Sequence, residues 1–302
     1  MSDGDDGLID WSHVIADSSG ALRERFPQTG GREAQWMAEE ASGLALHAGS
    51  AARDVHATVN ALARFDVMVE RRLAGEPLQY VLGHWPFRGL DLLVDARVLI
   101  PRPETELVVD HVLAAVDEAA AERVGDDPVL VVDLGTGSGA IGLSVAQERP
   151  GTRVILTDAS SDAAAVARAN LAGLGRRGTA VEILVGSWFD AVPDELAGSI
   201  DVIVSNPPYV GVDDEIDSGV TNWEPSSALF AGPDGLADLR LIVGESAEWL
   251  RPGGRLVLEI GASQAAAVSA FCDQAGLGPT TVDTDLTGRP RVVRTCRAPE
   301  FR

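Results

Sequence analysis

The residues best suited to chemistry stand together at Ser205-Asn206-Pro207-Pro208-Tyr209, directly after an apolar run at 200–204. The Asn206 side-chain oxygen and the Pro207 carbonyl are acceptors, and each can take one N–H of an incoming NH2 group. The prolines stiffen the loop and so preorganise those acceptors, while the Tyr209 ring offers a face on which a planar group stacks. An amide nitrogen is a poor nucleophile because its lone pair is delocalised into the carbonyl. A site that fixes both hydrogens also fixes the line of attack, and such orientation is worth roughly 7 to 11 kcal/mol. No strong general base is required, because the nitrogen becomes acidic only as the new bond forms. The pattern implies group transfer to a planar amide-type nitrogen, with Asn206, Pro207 and Tyr209 as catalytic groups and all of Asn206, Pro207, Pro208 and Tyr209 gripping the substrate. A proline-rich turn after a strand explains the tetrapeptide alone, but not what lies upstream of it.

Upstream, an apolar strand at 129–134 runs into Gly135-Thr136-Gly137-Ser138-Gly139, and a helix is expected from about Ala140. Such a turn lets a ligand approach the backbone and offers it the free amides of a helix N-terminus. Asp158 ends the next strand, about 20 residues on, where a carboxylate can accept ribose hydroxyls. Its other possible role is to cap the helix beginning near Ser161. Gly137, Gly139 and Gly142 also satisfy the spacing of a dinucleotide fingerprint, so the glycine loop alone leaves a nicotinamide dinucleotide and S-adenosylmethionine open. The Asn-Pro-Pro-Tyr loop decides, since hydride transfer has no use for it. The expected cofactor is S-adenosylmethionine, held by Gly135, Thr136, Gly137, Ser138, Gly139, Asp158 and Asn206. No metal is expected, because His84, His111 and the other three histidines lack metal-ligand spacing.

These loops need a scaffold that brings strand ends to one edge. Strands at 129–134, 153–157, 181–185, 200–205 and 255–260 alternate with helical stretches, which predicts an α/β fold with a parallel sheet covered on both faces. Strands at 280–285 and 291–296, joined by Leu286-Thr287-Gly288-Arg289-Pro290, predict a closing antiparallel hairpin. From about Leu8 to Leu73 the chain is alanine-rich, with apolar residues at helical spacing (Trp36, Met37, Ala41, Leu44; Val59, Leu62, Phe65, Val69). Breaks at Pro27, Gly30-Gly31 and Gly49-Ser50 divide it into short helices, with Trp11, Trp36 and Met37 expected in their core. The segment 78–100 changes period and reads as extended strands around turns, a hairpin connector. Pro101 and Pro103 then delay the next helix to Glu104 or Thr105, and it should run to about Arg123.

The 302 residues, 45% of them apolar, suffice for about two domains. Cys272 and Cys296 form no disulfide framework, and neither a secretory leader nor an apolar run of about 18 residues is apparent, so a soluble cytoplasmic protein is expected. Net charge is −22 and all 24 basic residues are arginine. Strong binding along a phosphate backbone is disfavoured, and a basic protein partner is favoured. Arg71-Arg72 and Arg176-Arg177 read as solvated surface. The acidic run Asp213, Asp214, Glu215 and Asp217 reads as a loop rim that can face such a partner.

In these motifs the sequence resembles the bacterial release factor glutamine methyltransferases, the HemK or PrmC family, from about Arg71 to Arg294. The likeness rests on Gly75-Glu76-Pro77-Leu78-Gln79-Tyr80, Gly83, Phe87 and Ile100-Pro101-Arg102-Pro103-Glu104-Thr105-Glu106. It continues through the glycine loop, Ser205 to Tyr209, Glu224-Pro225, Gly232-Pro233-Asp234-Gly235-Leu236 and Asp285-Leu286-Thr287-Gly288-Arg289. The resemblance implies a seven-stranded, Rossmann-like class I S-adenosylmethionine methyltransferase fold. It further implies a helical substrate-recognition domain at 1–74, a β-hairpin connector at 75–103 and a catalytic domain at 104–302. The implied reaction is N5-methylation of the glutamine in the Gly-Gly-Gln motif of class I peptide chain release factors, a step of translation termination. Trp188 would lie by the adenine, and Ser187 stands where the family often has Asp. Two other enzymes would use the same loop: a nucleic-acid methyltransferase acting on adenine N6 or guanine N2, and a ribosomal-protein glutamine methyltransferase. The acidic, lysine-free composition argues against the first, the 101–106 run against the second. A protein that only binds S-adenosylmethionine would not need both intact loops.

Overall fold

A computed structural model describes residues 9–46, 55–123, 125, 127–215 and 218–299. Leu8, the break at Gly49-Ser50, Asp126 and Asp217 lie outside the described residues. The chain divides into two compact units, Met1–Gly83 and His84–Arg302.

The first unit holds α1 (Trp11–Arg25), α2 (Gly30–Ser42), α3 (Val59–Leu73) and the single turn α4 (Leu78–Leu82). Its core gathers Trp11, Leu22, Met37 and Phe65, with Trp11 and Phe65 edge to face at 5.6 Å between centroids. Trp36, expected in that core, is 37% exposed on α2, with the Arg32 guanidinium over its ring. Gly30 lies inside the first turn of α2 and lets it press against the Leu22 backbone, where a Cβ would come within 2.5 Å. Extended chain from residue 78 was expected. Instead Leu78 and Val81 turn inward as one helical turn and join the core of this unit. Nor is Arg72 solvated surface, while the Arg71 side chain stays 40% exposed. Arg72 forms a bidentate pair with the buried Glu33 and lies over the Phe26 ring, and Arg71 pairs with Glu76 and donates to the Tyr80 carbonyl.

The second unit opens with the antiparallel hairpin β1 (His84–Phe87) and β2 (Leu90–Leu93). There follow α5 (Thr105–Glu122), β3 (Leu130–Leu134), α6 (Ala140–Glu148), β4 (Arg153–Asp158), α7 (Ser161–Gly173), β5 (Val181–Val185) and β6 (Ile200–Ser205). The chain ends through α8 (Ser218–Thr221), α9 (Ala237–Trp249), β7 (Leu250–Glu259), α10 (Ala265–Gln274), β8 (Thr281–Thr284) and β9 (Pro290–Cys296). The seven-stranded sheet has the order β5-β4-β3-β6-β7-β9-β8. β5 to β7 run parallel, and β9 is antiparallel to both β7 and β8. All positions of β3 and β6 are buried, as a strand covered on both faces requires.

Topology decides where a ligand can sit. The chain leaves β3 toward β4 and β5, then returns to place β6 on the other side of β3. At such a reversal the two following loops diverge and leave a crevice beyond the strands' carboxyl ends. Leu134 is the register partner of Ser205, and the Ser205 hydroxyl donates to the Leu134 carbonyl at 2.7 Å. The glycine loop and the Asn-Pro-Pro-Tyr loop therefore start side by side. At the far edge the buried Asp201 accepts from the Leu130 amide at 2.7 Å and pairs with Arg123 and Arg251.

Candidate active site

The crevice is a cleft of about 530 Å³. Gly135, Thr136, Gly137 and Ser138 form one wall, Asp158 and Trp188 a second, and Asn206 and Pro208 a third. Gly139, Pro207 and Tyr209 do not line it. Gly139 is the left-handed N-cap of α6, at φ +87°, and Pro207 is buried. The Tyr209 ring packs against the core, its hydroxyl 3.5 Å from Glu259 Oε1.

The nucleotide side is built by short-range hydrogen bonds. Asp158 Oδ2 accepts from the Gly137 amide at 2.9 Å and Oδ1 from the Ser160 amide at 2.8 Å. The cap of α7 is Ser160, whose hydroxyl oxygen accepts from the Ala163 amide, so Asp158 is released from that role. Burial raises the Asp158 pKa, opposed by the Ser160 and Gly137 amides. Each carboxylate oxygen keeps a lone pair for a ribose hydroxyl. Asp133, at the end of β3, is pushed up to about 6 by burial, although the Thr136 hydroxyl and Gly142 amide both donate to it. Gly135, at φ +70°, meets the Trp188 ring so closely that a Cβ there would lie 2.9 Å from it. Trp188 itself adopts φ +43°, a strained conformation for a large side chain. Trp188 both packs on the core and lines the cleft. Ser187 lines the cleft beside it. This set suits S-adenosylmethionine: an acid for the ribose, an aromatic wall for the adenine and an open glycine loop for the amino-acid end.

On the transfer side, Asn206 donates from Nδ2 to Thr105 Oγ1 at 3.4 Å, while its Oδ1 is buried without a hydrogen-bond partner. A buried acceptor without a donor costs about 1–3 kcal/mol, a cost that an N–H brought to it would relieve. Thr105 does not cap α5, whose N-cap is Glu104; its hydroxyl donates to the buried Glu259 at 2.7 Å. Burial pushes Glu259 up to about 7 and Tyr209 up to about 12, Tyr209 also through the neighbouring Glu259 charge. Arg102 lines the cleft and is held by Glu224, which also accepts from the Ile100 amide at 3.0 Å.

Some functional positions escaped sequence reasoning. Gln264 donates to the carbonyls of Tyr209 and Gly235 and accepts from the Gly261 amide, tying three loops together. Asn170 donates to the Ser138 carbonyl at 2.8 Å and steadies the glycine loop. No local pattern marks either. Glu259 carried a readable sign, a carboxylate inside an otherwise apolar strand end. Among the described residues no group of His, Cys, Asp and Glu could hold a metal ion, and no helix is long and apolar enough to cross a membrane. Asp213 to Glu215 are exposed, and Asp214 accepts from the Gly211 amide at 2.8 Å.

A family model described as "Methyltransferase small domain" matches residues 118–221, and one described as "PrmC N-terminal domain" matches 13–83. A release factor glutamine methyltransferase of Xylella fastidiosa is 40% identical over 261 residues, covering 84% of this chain and 90% of that protein. This chain belongs to the release factor glutamine methyltransferases. Another member of the family, from Bifidobacterium longum, is 37% identical over 295 residues, covering 92% of this chain and 96% of its own. The methyltransferase structure from Pyrococcus furiosus shares the fold at a TM-score of 0.50 and 16% identity, covering 80% of this chain and all of that one. The family and the class I methyltransferase fold expected from the motifs are both borne out.

Proposed function

We propose that this enzyme transfers the methyl group of S-adenosylmethionine to N5 of the glutamine in the Gly-Gly-Gln motif of class I release factors, in the cytoplasm. The observation that carries the reading is Asn206 Oδ1, a buried acceptor with no donor, in the same cleft as the glycine loop and Asp158. When bound, the cofactor supplies an electrophilic methyl group on a sulfonium. Gly135 to Gly139 and Asp158 hold it, with Trp188 and Ser187 at the adenine end. Asn206 Oδ1 accepts one N–H of the glutamine amide and the Pro207 carbonyl the other, which turns the nitrogen lone pair toward the donor. Pro208 and Tyr209 confine the amide plane, Tyr209 from behind the loop. The helical segment at 1–74 recognises the protein substrate, 75–103 connects, and 104–302 catalyses. A charge of −22 without lysine supports a basic protein surface as the partner over a nucleic acid. The test is transfer of labelled methyl to a purified release factor beside a variant whose Gly-Gly-Gln glutamine is replaced. Label is expected only in the former, and equal labelling would refute the assignment.

A further inference from the structure

The orientation of the Asn206 amide is not set by Asn206. An asparagine can present either its oxygen or its NH2 to a ligand, and only the oxygen accepts from a glutamine amide. We propose that Glu259 and Thr105 are positioning residues, a directed hydrogen-bond relay that holds Asn206 with its oxygen toward the substrate; this rests on the role given to Asn206 above. Glu259 is 1% exposed at the carboxyl end of β7, and as a carboxylate it can only accept. The Thr105 hydroxyl, 3% exposed, therefore spends its single proton on Glu259 Oε2, at 2.7 Å. What remains on Thr105 Oγ1 is lone pairs, which accept from Asn206 Nδ2 at 3.4 Å. With its NH2 turned to Thr105, Asn206 has its Oδ1 left over, the atom found buried without a partner. Each link fixes the polarity of the next. The other oxygen of Glu259, Oε1, faces the Tyr209 hydroxyl at 3.5 Å, so one carboxylate steadies both ends of the Asn-Pro-Pro-Tyr loop.

Reversing the first link reverses the chain. A protonated Glu259, or glutamine in its place, can donate to Thr105. The Thr105 proton is then free to point at Asn206, which satisfies itself by turning its oxygen inward. Its NH2 would then face the substrate NH2, donor against donor. Glu259 is faced by Thr105 and Glu104 at the start of α5, by Tyr209 after β6 and by Arg291 on β9. Burial and Glu104 push its pKa up, and Arg291 and the two hydroxyls pull it down, leaving it at about 7. The relay is thus poised to titrate in the neutral range.

The experiment uses the full chain, S-adenosylmethionine and a release factor, comparing Thr105→Val, Thr105→Ser and Glu259→Gln with Asn206→Ala. A misdirected group in a preorganised site costs about 100-fold in rate. That loss is expected in kcat for Thr105→Val and Glu259→Gln, with cofactor binding close to wild type, and Thr105→Ser should restore it. Wild-type kcat should rise with pH through about 7, the value for Glu259, and the rise should vanish in Thr105→Val. If Thr105→Val keeps wild-type kcat while Asn206→Ala is inactive, the relay is overturned and Asn206 retains its role. If Asn206→Ala itself turns over normally, the role given to Asn206 falls and the relay with it. Should Glu259→Gln fail to fold, the Thr105 pair decides.

Discussion

Replacing Asp158 with asparagine is a nearly isosteric change whose cost can be worked from the geometry. The carboxylate serves two backbone donors at once, the Gly137 amide at 2.9 Å and the Ser160 amide at 2.8 Å, one on each oxygen. Asparagine keeps a single oxygen. Whichever amide it serves, its NH2 faces the other, donor against donor. The better arrangement keeps the Ser160 bond, which leads directly into α7, and releases Gly137, the residue at the mouth of the cleft. A hydrogen bond to a charged acceptor is worth about 1.5–3 kcal/mol. If that difference falls on the cofactor-competent loop, affinity for S-adenosylmethionine drops by about 10- to 150-fold. The loss of an acceptor for the ribose adds to this and does not oppose it. Isothermal titration calorimetry gives the affinity, and thermal unfolding of the ligand-free protein shows whether the fold has suffered as well. A dissociation constant within roughly threefold of wild type, whatever the change in Tm, would refute the reasoning and reduce Asp158 to a turn residue.

Asn206→Ala should abolish methyl transfer while leaving cofactor affinity near wild type, read by labelled-methyl incorporation and calorimetry on the same preparation. Phe65→Ala removes a fully buried ring packed on Trp11 and should destabilise the N-terminal unit by about 3–5 kcal/mol, measured by urea denaturation. Glu259 releases its proton near the ordinary value of 4.5 when unfolded but near 7 when folded. Between those values the unfolded chain binds fewer protons, so this group makes stability fall as pH rises, and Glu259→Gln should flatten that slope in thermal unfolding across the window.

The sequence made the strands and the two cleft loops legible for one physical reason: their signals are local. A strand buried on both faces must be apolar along most of its length, which is why β3 and β6 fall at or within one residue of their expected limits. The glycine loop and the Asn-Pro-Pro-Tyr loop each carry their chemistry in five consecutive residues. Where environment outranked local pattern, the reading failed. Leu78 to Leu82 has the composition of a strand, yet a helical turn puts Leu78 and Val81 into the same core. Arg72 reads as surface until Glu33 and the Phe26 ring supply a charge partner and a π face. Trp36 sits at core spacing on a helix whose buried stripe is already filled by Ala34, Met37, Ala38 and Ala41.

The same distinction separates the parts of the site. Thr105 and Asn206 are 101 positions apart, and Glu259 is 154 from Thr105; no spacing rule links them. What joins them is the sheet order, which sets β6 beside β7, together with α5 packed along both strands. A threonine at a helix start is an ordinary cap by sequence and becomes part of a relay only because a buried carboxylate waits at the end of β7. Gln264 likewise looks like a surface residue before α10 until the three loops it ties have been brought together. The contacting groups, Asn206 and the glycine loop, are therefore readable as chemistry in the chain. The groups that aim them are visible only in the fold. Exchanging contacting groups should change whether the reaction occurs at all, whereas exchanging aiming groups should change its rate and its pH dependence while leaving cofactor binding in place.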